Sequence, residues 1–131
     1  MEFIFIENFE DVKNHISKFS LDKNVFKELG EPIFHNNNSK YIICCIDNIC
    51  IGFLSYEFKK EICNLKYCYI YKEYRNKGIF KKLHIIFVDK LPKYIKYINV
   101  ISSVFALPIY LKFGYIEIKK YKICSHLKLK L

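Results

Sequence analysis

The residues best placed for chemistry lie in "YIYKEYRNKGIFKKLHIIF", residues 69–87. An aromatic, strand-like run ends at Tyr71, and Lys72, Arg75, Lys77, Lys81 and Lys82 then gather around Gly78. From Ile79 the apolar residues recur at helical spacing. A strand that feeds a helix through a glycine turn leaves backbone N–H groups pointing outward at the helix start. Those groups and the helix dipole attract an anion such as a pyrophosphate, and a glycine lets backbone approach it closely. The plainer alternative is an ordinary turn with a solvated basic face. The other reactive residue types lack such grouping. Six cysteines, Cys44, Cys45, Cys50, Cys63, Cys68 and Cys124, form no C-x-x-C pair and most sit in apolar strand-like runs. They read as inert core thiols, with no metal expected. His15, His35, His84 and His126 are scattered without ligand spacing.

The elements that must carry the turn follow from periodicity. Residues 2–9 alternate as a strand. Residues 10–19 set Val12, Ile16 and Phe19 on one helical face. A second short helix begins after Ser20, a cap candidate, and stops at Gly30 and Pro32. Residues 41–47 and 49–58 form a hairpin about an Asp47-Asn48 turn, and 61–71 is a further strand. Residues 79–91 form a helix, 97–103 a strand, 105–113 a short helix closed by Gly114, and 115–121 and 124–131 two last strands. The order β-α-α-β-β-β-α-β-α-β-β predicts an α/β chain, a mixed sheet with helices on its faces.

At 131 residues the chain is expected to be one domain, 1–131, and its 52% apolar and 18% aromatic content supplies a core. The opening "MEFIFIENFEDV" has no basic n-region with a cleavage site, and no apolar run reaches the ~20 residues of a membrane span. A cytoplasmic, reducing location without membrane contact is expected. The net charge of +9 admits an acidic partner, nucleic acid included, but the lysines are dispersed and a lysine-rich composition accounts for it equally.

The segment "YIYKEYRNKGIFKKL" resembles motif A of the GNAT N-acetyltransferases, Arg/Gln-x-x-Gly-x-Gly/Ala, here Arg75-Asn76-Lys77-Gly78-Ile79-Phe80. "SVFALPIYLKFGY", residues 103–115, is similar to the family's second signature through Ala106, Tyr110, Gly114 and Tyr115. Phe80 replaces the last small residue of motif A, Lys72 a common proline, and Ser103 an asparagine cap. The resemblance implies a GNAT-like fold: a mostly antiparallel mixed sheet of about six or seven strands with about four helices. It implies acetyl-CoA as co-substrate, with the backbone of Arg75, Asn76, Lys77, Gly78, Ile79 and Phe80 around the pyrophosphate. The main chain of Cys68 and Ile70 would pair with the pantetheine arm, and the Ile70 N–H would polarise the thioester carbonyl. Tyr110 would protonate the departing thiolate. The acceptor implied is a primary amine, on a small molecule or a protein, and a homodimer is compatible with it. For the base, Glu57 or Glu61 through a water relay is the expectation, with Glu73 solvated in the turn. The competing readings are a GNAT-fold binding or regulatory protein without catalysis, for which Phe80 and a strand poor in carboxylates speak, and a GNAT-like enzyme acting on nucleic acid, for which the charge alone speaks.

Overall fold

A computed structural model describes residues 1–131, the Phe9 side chain excepted. The chain forms β1 (Glu2–Ile6), α1 (Phe9–Ser20), α2 (Lys23–Leu29), β2 (Lys40–Ile46), β3 (Ile49–Lys59) and β4 (Ile62–Ile70). A 3-10 turn over Lys72–Tyr74 leads to α3 (Ile79–Asp89), β5 (Tyr97–Ser103), α4 (Leu107–Lys112), β6 (Ile116–Lys120) and β7 (Cys124–Lys130). The element order is the one expected. The seven strands hydrogen-bond in the order β1-β2-β3-β4-β5-β7-β6. Among the described residues no helix is long and apolar enough to cross a membrane. The chain divides into two compact units, Met1–Tyr56 with Tyr67–Lys90, and Glu57–Lys66 with Leu91–Leu131.

In the first unit, Val12, Ile16 and Phe19 of α1 and Val25 of α2 are buried with Tyr41, Ile43, Phe53 and Tyr69. Two boundaries differ from expectation for the same reason, a side chain that prefers to cap. The first strand stops at Ile6, because Asn8 caps α1 by accepting from the Asp11 N–H at 2.9 Å. Ser20 ends α1 rather than opening the next helix. Asp22 does that, accepting from the N–H groups of Asn24 and Val25, and Gly30, at φ 79°, closes α2. Asp47 and Asn48 both have positive φ, 51° and 65°, the geometry of a two-residue hairpin turn. Gly52 is there because β4 passes close by: a Cβ would stand 2.5 Å from the Tyr69 carbonyl oxygen.

In the second unit, β4 and β5 run parallel with Ile62 to Leu65 opposite Tyr97 to Val100. β7 pairs antiparallel with β5 over its whole length, and β6 covers the outer edge of β7 with a bulge between Glu117 and Lys119. The helix expected at 105–113 is α4, shortened at both ends. Ser103 works one turn ahead of it, its Oγ accepting from the Ala106 N–H at 3.2 Å. Pro108 falls in the first turn of α4, where a missing N–H costs nothing.

Candidate functional site

The Tyr71 N–H donates to the Ile51 carbonyl of β3 at 2.9 Å. Main-chain direction alternates along a strand, so the N–H groups of Cys68 and Ile70 face away from β3. The register with β5 ends at Leu65, and β4 continues for the five residues Lys66–Ile70. The chain then makes its 3-10 turn and passes through two left-handed residues, Asn76 at φ 62° and Gly78 at φ 76°. The first bond within α3 runs from the Lys82 N–H to the Gly78 carbonyl at 3.1 Å. The N–H groups of Ile79, Phe80 and Lys81 precede that bond, and no side chain caps the helix. A Cβ on Gly78 would meet nothing within 4 Å. Asn76, Lys77 and Gly78 are exposed, as are Lys81 and Lys82, and Lys77 Nζ lies 5.6 Å from the Tyr74 ring centroid. Ile79 is buried and Phe80 half-buried, so neither side chain stands in front of these amides as an exposed group.

One cation of the cluster is spent elsewhere. The Arg75 guanidinium turns back onto β4 and does not join the charges at the helix start. Its Nε donates to the Ile70 carbonyl at 2.8 Å, its Nη2 pairs with Glu28 of α2, and it sits 5.3 Å from the Tyr69 ring centroid. Tyr69 is buried and its hydroxyl donates to Glu28 Oε1 at 3.0 Å. Burial, and then that carboxylate, push the Tyr69 hydroxyl up to about 12. A cavity of about 390 Å³ opens here, lined by Asp22, Lys27, Glu28, Tyr69, Tyr71 and Glu73 among others. Sequence reasoning missed Glu28 and Asp22. Alternation alone puts Tyr69 and Tyr71 on one face of the strand, but nothing local ties either to α2.

Tyr110 is buried on α4, between Ala106, whose carbonyl accepts its N–H at 3.2 Å, and Gly114 at φ 96°. Its ring packs edge-on against Tyr115 at 5.1 Å. The two carboxylates expected as bases sit less well. Glu57 pairs with Lys66 at 3.1 Å. Glu61 precedes β4 and pairs with Lys96 at 3.4 Å. Nine residues of extended strand, roughly 30 Å, separate Glu61 from Ile70. Glu73 is exposed, on the 3-10 turn. His84 is buried on α3, and desolvation lowers its imidazole to about 4. All six cysteines are free thiols. Among the described residues no three His, Cys, Asp or Glu side chains are grouped to hold a metal ion.

The family model of the acetyltransferase (GNAT) domain matches residues 8–129. No curated protein matches the chain. An acetyltransferase from Thermus thermophilus superposes with a TM-score of 0.78 at 10% identity, over 100% of this chain and 98% of that one. The PaiA N-acetyltransferase from Thermoplasma acidophilum, solved in complex with coenzyme A, gives 0.70 at 12% identity over 100% of both chains. An acetyltransferase of the GNAT family from Staphylococcus aureus gives 0.70 at 20% identity over 99% of each. At such identities the structures show a shared fold.

Proposed function

The chain belongs to the GNAT acetyltransferase family, and from that premise we propose that it moves an acetyl group from acetyl-CoA directly to a primary amine. The observation that carries this is the uncapped start of α3 behind Gly78, with left-handed backbone and open space in front of it. The N–H groups that precede its first internal hydrogen bond suit a pyrophosphate, and exposed Lys77, Lys81 and Lys82 add charge. The coenzyme A complex of the PaiA protein supports the same donor here.

Acetyl-CoA supplies the activated acetyl group as a thioester. The outward main chain of Cys68 and Ile70 offers the pantetheine arm a strand edge. The Ile70 N–H is the donor that polarises the thioester carbonyl, a contribution of the oxyanion-hole type. Arg75 ties up the Ile70 carbonyl and so fixes this end of β4. Tyr110 gives its hydroxyl proton to the departing thiolate. The carboxylates lining the cavity, Glu28 and Glu73 with Asp22, suit the ammonium form of an amine better than Glu61 does. Glu28 is fixed in place by its ion pair with Arg75, so it orients the amine. The proton of the amine passes to water, with Glu57 or Glu73 assisting.

The test is release of the CoA thiol by the full chain against a panel of primary amines, beside calorimetry of acetyl-CoA binding. Binding with amine-dependent release is the expected result. Binding without release from any amine would favour a non-catalytic GNAT-fold binder, for which a β4 with no carboxylate of its own is the sequence sign.

A further inference from the structure

The β2–β3 hairpin brings together two thiols that the spacing C-x-x-x-x-C conceals. Asp47 and Asn48 form its two-residue turn, and Ile46 faces Ile49 as the flanking pair. In such a hairpin the flanking pair exchanges hydrogen bonds, so the next pair, Cys45 and Cys50, is a non-hydrogen-bonded one. The Cα atoms of such a pair stand about 4.5 Å apart. That lies within the ~4.4–6.8 Å a disulfide spans. The side chains already face each other, with Sγ to Sγ at 3.2 Å. A bulge between Cys44 and Cys45 interrupts the register just beyond the pair. Cys44 follows the alternation onto the opposite face of β2 and is fully buried.

We propose that Cys45 and Cys50 are a reversible oxidation site that takes a hydroperoxide as its oxidant and closes to a cross-strand disulfide. The two thiols divide the work by exposure. Cys45 is buried, whereas Cys50 is half-buried at the start of β3 and is the one an oxidant meets. The Cys50 thiolate attacks the peroxide oxygen, the O–O bond breaks, and a proton completes the alcohol or water that leaves. Cys50 is then a sulfenic acid. Cys45 attacks its sulfur, the S–O bond breaks, and the hydroxyl departs as water with the Cys45 proton. Two electrons have passed from the sulfurs to the peroxide. In the reduced pair, burial and then the neighbouring Cys50 push the Cys45 thiol up to about 12. A dithiol restores both thiols by exchange, becoming a disulfide itself. The site does not depend on acetyl transfer. Lys18 links the two places: its Nζ donates to the Cys50 carbonyl and stands 5.3 Å from the ring centroid of Tyr71, which lines the cavity.

The experiment treats the reduced full chain with hydrogen peroxide, alkylates remaining thiols, and maps peptides by mass spectrometry. The expected result is a fall from six alkylated cysteines to four, with a Cys45–Cys50 cross-linked peptide that a dithiol abolishes. Cys45→Ser should then leave Cys50 as a dimedone-reactive sulfenic acid with no cross-link. Six alkylated thiols in the wild-type chain after peroxide, or a cross-link mapped to another pair, would overturn the proposal, and that readout needs no variant to fold.

Discussion

Gly78 stands at a left-handed φ with nothing within 4 Å of where a Cβ would be. The fold therefore asks of this position only the backbone conformation, a cost of roughly 1–2 kcal/mol for an L-residue. The empty space in front of it is what the pyrophosphate would fill. Gly78→Asp puts a side chain and a negative charge there. Acetyl-CoA affinity by calorimetry should drop by more than about tenfold, which is about 1.4 kcal/mol, while the thermal transition moves by only a few degrees. Unchanged affinity would remove the turn from the donor site. Tyr110 makes a separate claim. It is buried against Tyr115, and Tyr110→Phe keeps that packing while deleting the proton. If Tyr110 is the acid, turnover should fall by roughly 10²–10⁴-fold with acetyl-CoA affinity unchanged. A variant within about twofold of wild type, assayed where chemistry limits the rate, would leave the thiolate to be protonated by water.

At the scale of elements, β3 and β4 approach each other closely at Gly52. A Cβ on Gly52 would lie 2.5 Å from the Tyr69 carbonyl and 3.1 Å from the Ile70 Cα, both backbone atoms that cannot swing aside. Gly52→Ala must push the strands apart at the residues proposed to receive the thioester. A loss of about 1–3 kcal/mol is expected in chemical denaturation, with weakened acetyl-CoA binding. Gly30→Ala is the contrasting variant, because its surroundings are open and the substitution strains only the left-handed backbone, at φ 79°. It should lose stability of order 1 kcal/mol and keep its affinity. Equal binding by the two variants would mean that the β4 end does not position the donor. The same junction marks how far the sequence could be read. Each element announced itself by its own period, and the Asp47-Asn48 turn by its residue types, since both signals are local. Boundaries slipped where two capping residues competed over a few positions, as Ser20 and Asp22 did. Gly52, the Arg75–Glu28 pair and the cavity depend on which strand lies beside which, and no spacing within one element records that. The cation cluster was therefore legible, but the diversion of Arg75 away from it was not.

For the whole molecule, acid should be the sensitive direction. His84 is buried on α3 beside Leu83 and Phe87, and desolvation lowers its pKa from 6.5 to about 4. A lowered folded-state pKa means that, between those values, the unfolded chain binds a proton that the folded chain refuses. Stability from this residue is whole above pH ~6.5, falls as the pH drops towards about 4, and levels off below it. The loss is on the order of 3 kcal/mol, a large share of what a domain of this size commands. Acid also adds positive charge to a chain already at +9, so general repulsion acts in the same direction and must be separated. His84→Gln does so, because it removes the buried titration and leaves the surface charges in place. Urea midpoints measured from pH 7.5 to 4 should fall more steeply for the wild-type chain than for the variant, and the gap should open below pH ~6.5. Parallel curves would mean that His84 takes up its proton in the folded state, and the acid sensitivity would then belong to net charge alone.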